Sequence, residues 1–134
     1  MTIRKILVTG SREWSNIECV VTVLQQFESG TVLIHGKCRG ADVICAAVGE
    51  QLGFTVKEYP ADWIQYGKAA GVVRNQQMLN MQHLVSDPID LCLSFHDDIT
   101  NSKGTADMVR RVLKAGIPHG ASTTLVPYVH RIDE

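Results

Sequence analysis

Short apolar runs alternate with amphipathic stretches along the whole chain, and this alternation constrains the fold more than any other feature. Ile3 to Thr9 is a β-branched run that ends at Gly10, the pattern of a buried strand. Ser15-Asn16-Ile17-Glu18 has capping-box spacing, a hydroxyl followed by glutamate three residues later. Behind it Ile17, Val20 or Val21, Leu24 and Phe27 share one helical face, which Gly30 can close. Thr31 to His35 predicts a second strand, and Ala41 to Leu52 a helix with Ile44, Ala47 and Val48 inward. Phe54 to Tyr59 predicts a third strand nearer an edge, because Pro60 follows it. Ala69 to about Leu84 reads as a longer helix, and Asp90 to Phe95 as a strand buried on both faces. Thr105 to Ala115 reads as a helix with Val109 and Leu113 inward, stopped by Gly116 and Pro118, and Thr123 to Val126 as a last strand.

The order βαβαβαβαβ predicts an α/β fold: a Rossmann-like parallel sheet of about five strands with helices on both faces. A length of 134 residues fits one domain, since two cores of half that size would be marginal. Ligands of such sheets bind beyond the carboxyl ends of the strands, so the loops after the first four strands are where chemistry is expected.

The first of these loops is Thr9-Gly10-Ser11-Arg12-Glu13-Trp14. It joins a tight glycine turn and two hydroxyls to a cation ahead of a helix start, where unpaired amides favour an anion. The second, His35-Gly36-Lys37-Cys38-Arg39-Gly40-Ala41-Asp42, brackets two cations between glycines. Its spacing is not that of the GxxxxGK[ST] phosphate loop. Asp42 has two readings, a residue that complements the helix dipole or an acceptor for ribose hydroxyls. In the third loop Trp63 and Tyr66 offer aromatic faces that can stack on a base or cap the core. Lys68, Gly71 and Arg74 there recur at intervals of three, next to Asn75, so they share a face near a helix start, with Gly71 giving room for close approach. The fourth loop runs from His96 through Asp97 and Asp98 to Gly104-Thr105, again at a helix start. Nothing completes a metal site around the adjacent acids, so no metal and no cofactor is expected.

Charge and cysteine content narrow the partners. Thirteen Lys and Arg balance fourteen Asp and Glu, a net charge of −1, which argues against a protein that coats nucleic acid. No apolar run is long enough to cross a bilayer, and the N-terminal run is too short for a signal peptide, so a cytoplasmic, soluble chain is expected. Cys19, Cys38, Cys45 and Cys92 show no metal or redox spacing and are expected to be reduced. Apolar helix residues such as Met78 and Met81 suit either the core or a homodimer.

Taken in order, Thr9-Gly10-Ser11-Arg12 with Trp14, His35-Gly36…Arg39-Gly40-Ala41-Asp42, Ala61-Asp62-Trp63, Gly67-Lys68-Ala69-Ala70-Gly71…Arg74-Asn75…Met78 and Gly104-Thr105-Ala106-Asp107 resemble the small YspA/YpsA-related branch of the SLOG superfamily. The resemblance runs from about residue 3 to residue 120. It implies a Rossmann-like fold that binds a nucleotide or a nucleotide-derived ligand such as an ADP-ribose relative. Thr9, Gly10, Ser11 and Arg12, with Gly36, Lys37, Arg39, Gly40, Gly104 and Thr105, would then cradle phosphate. Lys68 and Arg74 would neutralise it beside Gly71 and Asn75, Asp42 or Asp62 would hold ribose, and Trp63 would stack. Relatives in the superfamily include the Lonely Guy phosphoribohydrolases, whose Pro-Gly-Gly-x-Gly-Thr-x-x-Glu motif ends in a catalytic glutamate, and the DNA-processing DprA proteins. In this chain Met108 holds that glutamate's position, and methionine transfers no protons. The expectation is therefore a binding module that senses or sequesters its ligand. A hydrolase using Arg74 with Asp107 or Asp98 is the alternative, and single-stranded DNA binding a more distant one.

Overall fold

In a computed structural model of the chain, which describes residues 2–131, five parallel strands form one sheet in the order β3-β2-β1-β4-β5. The strands are β1 (Lys5–Gly10), β2 (Val32–His35), β3 (Thr55–Glu58), β4 (Leu91–Phe95) and β5 (His119–Ser122). Alternate residues point to opposite faces, so each inner strand supplies two cores. Ile6, Val8, Leu33, Leu91, Leu93 and Phe95 pack under helices α1 (Ile17–Leu24) and α2 (Ala41–Gln51). Leu7, Ile34 and Cys92 pack under α4 (Ala70–Leu79) and α5 (Lys103–Lys114). The chain moves outward from β1 to β3 and then returns to start β4 on the other side of β1. That reversal opens a crevice at the carboxyl ends of β1 and β4.

Several elements depart from the sequence expectation. The last strand is His119–Ser122, and Thr123 to Val126 form a turn in which Thr123 and Val126 exchange backbone hydrogen bonds. The ladder with β4 decides this, pairing Cys92 with His119 and Phe95 with Ser122. Gly120 is required there because a Cβ would stand 2.6 Å from the Tyr128 ring. In α5 the buried face holds Thr105, Asp107, Met108 and Val112 while Leu113 is exposed, one position round from the predicted Val109 and Leu113. The shift follows from the buried carboxylate of Asp107, which polar partners draw inward. Asn16, not Ser15, caps α1 by accepting from the Cys19 amide, which leaves Ile17 exposed and Cys19 and Val23 in the core. In α2, Cys45 and Gly49 are buried and Ala47 is not.

The long helix expected from Ala69 to about Leu84 is present but changes its winding after Leu79. A single turn, α3 (Trp63–Tyr66), and a 3₁₀ turn precede α4, which opens into a π-helical turn over Asn80–Val85. The buried ammonium of Lys5 meets the widened turn. It donates to the Gln82 carbonyl at 3.0 Å, Gln82 Oε1 at 3.2 Å, Ser86 Oγ at 3.3 Å and the Asp87 carbonyl at 2.7 Å. Met78 lies in the core and Met81 is half exposed. All four cysteines are free thiols, and only Cys38 is not buried. No helix of the described residues is long and apolar enough to cross a membrane.

Candidate functional site

The loop after β1 is held by its backbone. Ser11 donates its amide to the Phe95 carbonyl at 2.9 Å, and its own carbonyl accepts from the Ala41 amide at 3.0 Å. The ends of β1 and β4 and the start of α2 are thereby joined at one residue. Two glycines make this approach possible. A Cβ on Gly10 would collide with the Phe95 carbonyl and Ala41. Gly40, at φ +79°, would drive one into the Ser11 carbonyl. The next loop folds over Asp42, whose buried carboxylate accepts from the amides of Gly36 at 2.9 Å and Cys38 at 3.4 Å. Burial pushes the Asp42 carboxyl up to about 6, against the opposing pull of the Cys38 and Gly36 amides and the charges of Arg74 and Arg12.

Opposite, α4 carries a buried guanidinium. Arg74 donates Nε to Asn75 Oδ1 at 3.0 Å, Nη1 to the carbonyls of Gly36 and Tyr59, and Nη2 to Cys38 Sγ at 3.5 Å. Asn75 in turn donates Nδ2 to Asp107 Oδ2 at 2.9 Å and to the Gly104 carbonyl at 3.5 Å. Arg110 and Arg111 clamp Asp107 from outside at 2.7 and 2.9 Å. Burial raises the Asp107 carboxyl, yet bonds from Arg111 and Asn75 and the charges of Arg111 and Arg110 outweigh it and hold the group below the usual carboxylate range.

These elements surround an open cleft of about 510 Å³. Thr9, Gly10, Ser11, Arg12, Gly36, Asp42, Trp63, Lys68, Gly71, Arg74, Asn75, Gly104 and Thr105 all line it, so residues from four separate loops meet at one rim of the sheet. Trp63 is half exposed, with the Arg12 guanidinium 5.8 Å from its ring centroid. Gly104 stands on α5 facing open space, and Gly71 stands on α4 with room for a Cβ at ordinary contact distance. A Cβ on Gly71 would find its nearest neighbours at 3.9 and 4.0 Å, and one on Gly104 nothing within 4 Å. Arg12, Lys68, Arg74 and Lys103 line the cleft, and among the described residues none of the four forms an ion pair.

Six candidates from the sequence lie elsewhere. Lys37 and Arg39 edge a neighbouring lobe of about 320 Å³, where they meet Glu58 at 3.4 Å and Glu13 at 2.6 Å. Gly40 serves the loop junction. Asp62 caps α3 by accepting from the Gln65 amide at 3.0 Å, so its position suits a helix cap rather than a ribose contact. Asp107 lies behind Asn75, outside the cleft, and Met108 is fully buried in the core. Asp98, the other candidate acid, is engaged with Thr100 and Asn101. Nor are all the expected amides open. The Gly36 amide is taken by Asp42, and the Thr105 amide by Ser102 Oγ at 3.1 Å, because α5 begins two residues earlier than expected. That earlier start brings Lys103 to the rim, a cation the sequence reading passed over although it stands directly before Gly104. His96, Asn101 and Cys38 also line the cleft. No cluster of metal-ligating side chains occurs among the described residues.

The sequence model of the YspA, cpYpsA-related SLOG family matches residues 4–66, from the start of the sheet through α3. The Gene 61 protein of Mycobacterium phage D29 is 38% identical over 124 residues, an alignment spanning 86% of this chain and 93% of the phage protein. With the five-stranded parallel sheet and its single cleft rim, these similarities establish that the chain belongs to the YspA, cpYpsA-related SLOG family.

Proposed function

We propose that the cleft binds a nucleotide or nucleotide-derived ligand, and that the protein acts as a sensor or sequestering module for it. One observation carries the reading: four cations, Arg12, Lys68, Arg74 and Lys103, line the cleft against two acids, Asp42 and Glu13, none of the four forms an ion pair among the described residues, and one of them is buried. A buried guanidinium whose hydrogen-bond acceptors are all neutral, and whose charge Asp42 answers only at longer range, gains from an arriving anion. Phosphate fits the planar donors of Arg and the point charges of Lys. The half-exposed Trp63 ring supplies a face for a base, and a volume of about 510 Å³ lies within the range of small-molecule sites. Family membership supports the reading at the level of ligand class.

Binding is preferred over hydrolysis because the two acids that the sequence offers a hydrolase are occupied: Asp107 by two arginines and Asn75, Asp98 by Thr100 and Asn101. Calorimetric titration with AMP and with ADP-ribose tests the proposal. Saturable binding is expected, weakened at least tenfold in both Arg12→Ala and Lys68→Ala. Affinity unchanged in both variants overturns the site, and release of free adenine from AMP during overnight incubation overturns the preference for binding.

A further inference from the structure

The buried guanidinium is oriented by a chain of contacts with a neutral link in the middle. Asp107 Oδ2 receives Asn75 Nδ2 at 2.9 Å, and Asn75 Oδ1 receives Arg74 Nε at 3.0 Å. The amide cannot be turned over, because a flipped Asn75 would set its NH₂ against the Arg74 donor and its oxygen against the Asp107 carboxylate. Arg74 and Asn75 are both buried. The four acceptors around Arg74 are Asn75 Oδ1, two backbone carbonyls and a thiol, all without formal charge. Elsewhere α5 uses the direct solution, carboxylate on guanidinium, where Asp107 meets Arg110 and Arg111. An aspartate at position 75 would extend that solution to Arg74 with no change in side-chain shape, yet the chain places an asparagine there.

We infer that Asn75 is the residue that makes this site select an anion: it passes the orienting hold of Asp107 to Arg74 while keeping that carboxylate's charge one side chain away, so that the guanidinium is fixed without a carboxylate paired to it. The inference rests on the proposed nucleotide site and names the group that sits on Arg74, a phosphate or similarly compact anion. Two contacts of one Asn thus separate geometry from charge, functions that a direct ion pair would fuse. A guanidinium already paired with a carboxylate offers an incoming phosphate little, since the protein's own anion must be displaced first.

The test is a pair of titrations, AMP against adenosine, read as the ratio of their affinities. Wild type is expected to prefer AMP at least tenfold. The double exchange Asn75→Asp with Asp107→Asn keeps the relay from position 107 through 75 to Arg74, now amide to carboxylate to guanidinium, and moves the charge onto Arg74, at the cost of the Asn75 contact with the Gly104 carbonyl and of the Arg110 and Arg111 ion pairs with position 107. Its AMP preference is expected to fall below threefold. Asn75→Asp alone is expected to do the same, and it carries the test should the double exchange not fold, as monitored by thermal unfolding. Asn75→Ser, shorter but neutral, is expected to bind AMP more weakly while keeping a preference above fivefold. A tenfold preference retained by either aspartate variant overturns the inference, as does its loss in Asn75→Ser to the same extent as in Asn75→Asp. Wild type that binds neither compound overturns the nucleotide reading itself, a result distinct from all of these.

Discussion

The two walls of the cleft are built on opposite principles. The wall formed after β1 and β2 spends its special residues, Arg12 apart, on the fold. Gly10 and Gly40 exist for close backbone approach, the Asp42 carboxylate collects two amides, and the Ser11 carbonyl holds α2 in place. The wall formed by the starts of α4 and α5 carries Gly71 and Gly104, which meet no crowding, and Lys68 and Lys103, which have no ion-pair partner among the described residues. A glycine in a helix costs roughly 1 kcal/mol relative to alanine, so a glycine the fold does not need points to something outside the fold. The comparison teaches that identical residue types, lined along one cleft, answer to different constraints.

The largest expected effect breaks the first wall. Gly10→Ala should destabilise the protein by about 3 kcal/mol or more, since the Phe95 backbone on one side and the fixed Ala41 Cβ on the other block relief. Chemical denaturation checks this, and a change below about 1 kcal/mol would remove the distinction between the walls.

Next is a pH effect that sets the two buried acids against each other. The folded Asp42 carboxyl, at about 6, lies above its ordinary 3.8. Its contribution to stability is therefore complete below the unfolded value and is lost as pH rises through about 6. Asp107 has the opposite sign: its carboxyl is held low, so its contribution is present above 3.8 and lost as pH falls through the folded value. Asp42→Asn should thus gain on wild type by the order of 2–3 kcal/mol at pH 8 and lose that gain by pH 4. Asp107→Asn should instead flatten the loss on the acid side. Melting curves from pH 3 to pH 8 test both slopes, and parallel curves for the two variants would contradict them.

A smaller effect sharpens the second wall. Gly71→Ala should raise stability by up to about 1 kcal/mol and weaken AMP binding about tenfold, near 1.4 kcal/mol. Opposite movement of the two quantities is the informative outcome, and a stabilised variant with unchanged affinity would show that the open space is idle. Smallest of all, Arg39→Ala should shift stability by less than about 0.5 kcal/mol, since its pair with Glu13 is exposed on both sides. Its AMP affinity should stay within threefold because the residue lies off the main cleft. A larger loss would bring the neighbouring lobe into the site.

What was legible in the sequence was whatever depends on local pattern. The inner strands show as apolar runs because both their faces are covered, and the loops at their ends stand out by glycine and charge. Features settled by a distant partner were hidden. The strand His119–Ser122 has one small glycine and little apolar character, and it is chosen by its ladder with β4 and by Tyr128 lying on Gly120. The phase of α5 turns on Asp107, a polar residue that an apolar count places outside. The widened turn after Leu79 meets an ammonium at position 5, far away along the chain. Within the site, four loops could be singled out from spacing alone. That Asp42 would consume the Gly36 amide, or that Asn75 would stand between Asp107 and Arg74, depends on contacts no spacing reveals.

The strand order has a consequence for how such a protein can change. Because the chain completes β1, β2 and β3 before crossing to β4 and β5, each side of the cleft is the work of one uninterrupted stretch of polypeptide. The junction falls in the short segment between Pro60 and Trp63. A single crossover there would replace Trp63, Lys68, Gly71, Arg74 and Gly104 as a block while leaving the loops of the other half untouched. Ligand preference in this architecture is thus inheritable as a cassette, exchangeable between descendants without redesigning the half that holds the sheet together.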